Sequence, residues 1–94
     1  MIDDEFEWND DKAASNLRKH GISFIQASTV FRDPFAIEFL DERADYGEER
    51  FILIGMSSDG VLVVVYTERQ ERSRIISARK AEPNEQRYYY DQNQ

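Results

Sequence analysis

A chain of 94 residues with a net charge of −7 and no cysteine is expected to form a single domain, 1–94, held by neither disulfides nor a zinc staple. Its 40% apolar content, including six Phe, five Tyr and one Trp, supplies a sheet and one helix layer but no deep enclosed pocket, and there is no Gly-rich phosphate loop, so no cofactor is expected. No apolar run approaches the roughly 18 residues of a membrane span, and Met1-Ile2-Asp3-Asp4-Glu5 reverses the cationic start of a signal peptide, so the expected compartment is the cytoplasm, with no membrane partner.

Phe6-Glu7-Trp8 alternates as a short first strand. Asn9 then suits an N-cap, Asp10 and Asp11 complement the helix dipole, and Gly21 supplies a left-handed stop, which predicts a helix from Asp10 to His20. At 100° per residue its buried stripe should be Ala13, Ala14 and Leu17, with Lys12, Asn16 and Lys19 on a polar stripe and His20 on the border. Ser23-Phe24-Ile25-Gln26 reads as a capping box with Ile22 as a staple on Ala27, and opens a second helix over Phe24 to Phe31 that Asp33-Pro34 ends. Strands follow at Ala36 to Leu40 and Phe51 to Gly55, joined by the acidic stretch Asp41 to Glu49. Ser57-Ser58-Asp59-Gly60 closes a hairpin whose Asp-Gly pair suits a type I′ turn. Val61 to Tyr66 is apolar on both faces, the mark of a central strand. A polar turn around Arg69-Gln70 leads into Arg74 to Arg79, and Pro83 fits the first turn of a final helix carrying Tyr88, Tyr89 and Tyr90. Those three point in different directions, so one should pack on the sheet and another stay exposed. The order βααββββα indicates an α+β fold, two N-terminal helices on an antiparallel sheet of four to five strands, with a C-terminal helix.

Charge is distributed unevenly. Residues 1–11 carry six acids and no base, and residues 33–49 carry seven acids against Arg43 alone. Residues 68–80 hold Arg69, Arg72, Arg74, Arg79 and Lys80 against Glu68 and Glu71. Either the acids only keep the chain in solution, or an anionic ligand meets the basic segment while the acidic surfaces meet something basic. Strand alternation places Ser77 and Arg79 on one face with Ile75, and Ile76 and Ala78 on the other. Arg79 then either binds phosphate with its guanidinium fork or merely defends an edge strand. His20 is a dipole-favoured cation or a general acid or base, since imidazole exchanges a proton near neutrality. The carboxylates fall mainly at the N-terminus and in one loop, so no metal site is expected.

Several stretches resemble the BrnT toxin family. They are Phe6 to Lys12, Asn16 to Phe24 with its Lys-His-Gly, Ala27 to Pro34 ending in Phe-x-Asp-Pro, Glu48 to Gly55, Val63 to Thr67, and Arg74 to Ala81 with Ile-Ser-Ala-Arg, followed by Glu85 and Tyr88. The resemblance runs from about Phe6 to Tyr90 and implies a RelE-like fold and a ribonuclease that inhibits translation. It also implies a BrnA-type antitoxin with a ribbon-helix-helix part, through which alone the pair touches promoter DNA. Metal-free RNA cleavage needs a base for the 2′-hydroxyl, cations for the phosphorane and an acid for the 5′-oxygen. Candidate charge stabilisers are Arg79, Lys80 and Arg72. Candidate proton carriers are His20 or Tyr88, with Glu68 as a second candidate base and the choice among them open, and Lys12 and Lys19 are further RNA-binding candidates. A non-catalytic module that only assembles with an antitoxin is the alternative.

Overall fold

The computed structural model describes residues 1–43 and 47–94, so that residues 44–46 of the acidic stretch lie outside the described residues. The elements run β1 (Phe6–Glu7), α1 (Asp10–His20), α2 (Phe24–Thr29) continued by a 3₁₀ turn Val30–Arg32, β2 (Ile37–Leu40), β3 (Phe51–Ser57), β4 (Gly60–Arg69), β5 (Arg72–Lys80) and α3 (Pro83–Gln92). The expected caps form. The Asn9 side chain accepts from the Lys12 N–H, Gly21 stands at φ 71°, and Ser23 and Gln26 close a reciprocal capping box. The second helix tightens into its 3₁₀ turn earlier than its apolar spacing predicts.

The sheet order is β1-β5-β4-β3-β2, with β4 central as its two apolar faces require. β2 through β5 pair antiparallel, but β1 lies parallel to β5, Phe6 against Ser73 and Glu7 against Arg74. The sheet is therefore mixed, not wholly antiparallel. β1 and β5 are joined through the rest of the fold, so no hairpin dictates their direction. Glu7 is buried there and takes a 2.7 Å ion pair from Arg74, so the acidic start of the chain is answered partly by its own basic strand.

One sheet face carries α1 and α2 over a core of Trp8, Ile22, Phe24, Val30, Leu62, Val64, Tyr66, Ile75 and Ala78. The other carries α3, whose Tyr89 joins Ala81, Ile54, Val61 and Val63. Tyr89 also donates to Asp33 at 2.5 Å, which ties α3 to the end of the α2 segment. Tyr88 and Tyr90 remain exposed, as the divergent directions of the three tyrosines require.

Three local expectations are corrected. The buried residue of α1 is Asn16, while Leu17 is 50% exposed and Ala14 is exposed. α1 crosses the edge of β5 beyond the reach of β1, where Ala78, paired with Val64 of β4 on one side, meets no strand among the described residues on the other. The Asn16 amide replaces one, donating to Ala78 O at 2.8 Å and accepting from its N–H at 3.1 Å, with a further 2.9 Å bond to Ile22 O. Second, Val65 pairs with Ser77 and Tyr66 with Ile75, so Ile76 is the extra residue of a β-bulge. The bulge breaks the alternation and puts Ile75 with Ala78 in the helix-side core, leaving Ser77 and Arg79 on the other face. Third, the turn after β3 is not type I′, because neither Ser58 nor Asp59 has positive φ and Gly60 does, at 100°. Positive φ at two consecutive central residues occurs instead in the β4–β5 hairpin, at Gln70 (53°) and Glu71 (66°).

Candidate active site

α3 covers only part of its sheet face. Past its shelter lies an open cavity of about 320 Å³ whose floor is Ile52, Val63 and Val65, and whose rim is Ser77, Arg79, His20, Arg43 and Glu85. Each rim residue arrives for a local reason. The bulge at Ile76 sets Ser77 and Arg79 toward the cavity, and the Gly21 stop ends α1 with His20 at its mouth. Pro83 starts α3 with Glu85 in the first turn, and Arg43 comes from the segment after β2.

Glu85 takes both arms of the Arg79 guanidinium, at 2.8 and 2.9 Å, and Arg79 also donates to Lys80 O at 3.3 Å. The Glu85 hydrogen bonds hold Arg79 above the usual guanidinium pKa, against burial and the neighbouring Arg43 charge. Glu85 in turn lies below the ordinary carboxylate range, chiefly through Arg79. The pair is ionised at neutral pH. Among the described residues the Arg79 Nε–H and the second Nη2–H have no acceptor, so two donors remain for a ligand.

A second depression adjoins the first, sharing His20 and Ser77 and continuing along α1 past Lys19, Ser15 and Lys12 to Ile76 of the bulge. Together the two make a track from a basic helix flank to the cavity. Three of the residues singled out by sequence, Lys12, Lys19 and His20, thus lie on one path leading to Arg79.

Others lie elsewhere. Glu68 lines a separate depression with Glu48, Glu49, Phe51 and Thr67. Tyr88 stands on α3 with its ring 5.8 Å from Phe39, outside the cavity lining. Arg72 donates from Nε to Asp3 O at 2.6 Å, near the hairpin end of β5. Lys80 is exposed and, one residue beyond Arg79 on the strand, projects to the opposite face.

Residues 8–85 match the family of the BrnT ribonuclease toxin of type II toxin–antitoxin systems. The chain belongs to the BrnT family. No curated protein matches it. Membership makes the chain a ribonuclease toxin with an antitoxin partner. Among the described residues no helix is long and apolar enough to cross a membrane.

Within this BrnT chain the sequence undervalued two cavity residues. Glu85 was visible only as part of the family's closing block, because a carboxylate in a first helical turn looks like dipole complement alone. Arg43 stands in the sequence only as the lone base of an acidic stretch. That exception was the available signal: a cation kept among seven acids has a neighbour to meet.

Proposed function

We propose that this BrnT protein is a metal-independent endoribonuclease acting at the His20–Arg79 cavity. The observation that carries the reading is that His20 and Arg79 share one solvent-open cavity on an otherwise apolar sheet face, at the end of a basic track. The RNA backbone lies along Lys12 and Lys19 and enters over Ser77. His20 accepts the proton of a 2′-hydroxyl, the 2′-oxygen attacks phosphorus, and Arg79 stabilises the charge of the phosphorane. The P–O5′ bond breaks, the 5′-oxygen takes a proton from water in the open cavity, and a 2′,3′-cyclic phosphate remains. Glu85 positions Arg79. Tyr88, beside Phe39, offers a ring on which a base of the same strand stacks, and Glu68, in its own depression, takes no part. The partner is a BrnA-type antitoxin with a ribbon-helix-helix part, through which the pair reaches promoter DNA.

One observation favours the non-catalytic alternative: the Arg79 fork is already occupied by Glu85. Expression without the antitoxin separates the two, growth arrest being expected of the enzyme and unimpaired growth of the assembly module. With purified protein, cleavage should persist in a chelator and leave 5′-hydroxyl ends, and His20→Ala should slow it by about 10²–10⁴. Full activity in folded His20→Ala would remove His20 from the chemistry.

A further inference from the structure

The cavity holds a second guanidinium that the mechanism above does not use. Arg43 follows β2 by three residues, and the segment is rooted where the Asp41 N–H donates to Arg50 O at 2.7 Å. The Asp41 side chain is 1% exposed and accepts Arg43 through Nε at 2.8 Å, Nη2 at 2.7 Å and the backbone N–H at 3.1 Å. A long side chain that is itself 65% exposed is thereby fixed in direction at the cavity rim. The Arg43 bonds hold Asp41 ionised, down to about 2.

Two guanidiniums facing one cavity repel each other, and Arg43 does oppose the protonation of Arg79. Each is stabilised separately, Arg43 by Asp41 and Arg79 by Glu85, so the arrangement stands without a ligand. Below them the floor of Ile52, Val63 and Val65 offers no charge of its own. Paired cations above an apolar floor suit a ligand with an anionic link and flat or apolar parts, which describes a phosphodiester between nucleosides.

We propose that Arg43 is a phosphate-binding residue of this site, opposite Arg79, and that Asp41 is the residue that positions it. The inference rests on RNA being the ligand of the cavity and adds a residue supplied by the β2–β3 segment. An ion pair that served only to anchor that segment would need no place on the cavity rim.

The test uses the full chain and a short 2′-O-methyl RNA oligonucleotide, which binds but lacks the attacking hydroxyl. Affinity is measured against salt for the wild type, Arg43→Ala, Arg43→Gln and Asp41→Asn, with thermal unfolding as the check on folding. Arg43→Ala should bind about tenfold more weakly, with a log–log salt slope shallower by about 0.7, the value for one phosphate contact to a single strand. Arg43→Gln keeps a donor for Asp41 and should show the same shallower slope. Asp41→Asn keeps the cation and should lose affinity with the slope intact. Wild-type affinity in the Arg43 variants, or weaker binding with an unchanged slope, overturns the proposal, the latter because it marks a structural loss only. The two readings fail differently: a wild type that binds the oligonucleotide but cleaves no RNA ends the ribonuclease mechanism and leaves the Arg43 contact measurable. A wild type that does not bind ends both.

Discussion

The two faces of the sheet are built from the same strands and end in opposite conditions. On the helix side β4 sends down Leu62 and Val64, both fully buried, and Tyr66, under α1 and α2. On the other side Val63 is buried against the α3 cluster, while Val65, two residues on, is only half-buried on the cavity floor. The side chains are equally apolar. What differs is that α3 holds the sheet chiefly through one large residue, Tyr89, and leaves the rest of the face open. The closed face supplies stability, and the open one supplies a place where cations and an imidazole sit over apolar floor. In this fold the proposed site lies where helical cover ends.

The sharpest way to break that division is Arg79→Ala. It should cost about 3–4 kcal/mol of transition-state stabilisation in single-turnover RNA cleavage and under about 1 kcal/mol of fold stability, because the Arg79–Glu85 pair is partly exposed. A folded variant with full activity would return Arg79 to the role of edge-strand charge. Asn16→Ala tests the closed face and should do the reverse. It strands the Ala78 N–H and C=O and the Ile22 C=O, so urea denaturation should show a loss on the order of 3 kcal/mol. A loss under about 1 kcal/mol would mean that water reaches that edge and the face is less closed than its burial implies.

Acid addresses the rim of the open face. Because the Asp41 pKa falls from 3.8 to about 2 on folding, its pairing stabilises the fold fully above 3.8, and that stability is lost as pH falls through about 2. The stability difference between the wild type and Asp41→Asn should stay level above pH 3.8 and shrink toward zero near pH 2, as followed by denaturant titration. A difference that fades well above 3.8 would show that Arg43 is not clamped. The smallest effect belongs to a turn on neither face. Replacing Gln70-Glu71 by Asn-Gly should stabilise the chain by about 1 kcal/mol, since both positions hold positive φ. Activity should not move, and a changed cleavage rate would mean that the hairpin tip communicates with the cavity.

Much of the architecture was legible because its causes are local. Asn9, Gly21, the Ser23–Gln26 box, Asp33-Pro34 and Pro83 punctuate the chain within a few residues of where they act, and the apolar stretch Val61 to Tyr66 announced a central strand by itself. The site was legible in part. Arg79, His20, Lys12 and Lys19 were singled out and lie along one track, whereas Glu68 and Tyr88 lie apart from it. The rest depended on contacts distant in sequence. Helical periodicity assigned Asn16 to the solvent, but the unpaired edge at Ala78, 62 residues later, drew it inward. Alternation misplaced Ile75 because the bulge at Ile76 exists only once β4 and β5 have paired. Nor does composition indicate that α3 stops short of Val65 or that Asp41 turns Arg43 toward the cavity. Sequence alone determined most of the elements and their order, since caps, turns and periodicity act over one or two turns of chain, and its motifs carried the family resemblance. Only the tertiary structure decided which polar groups were left without backbone partners and which apolar surface was left without cover, and those two remainders are what shaped the site.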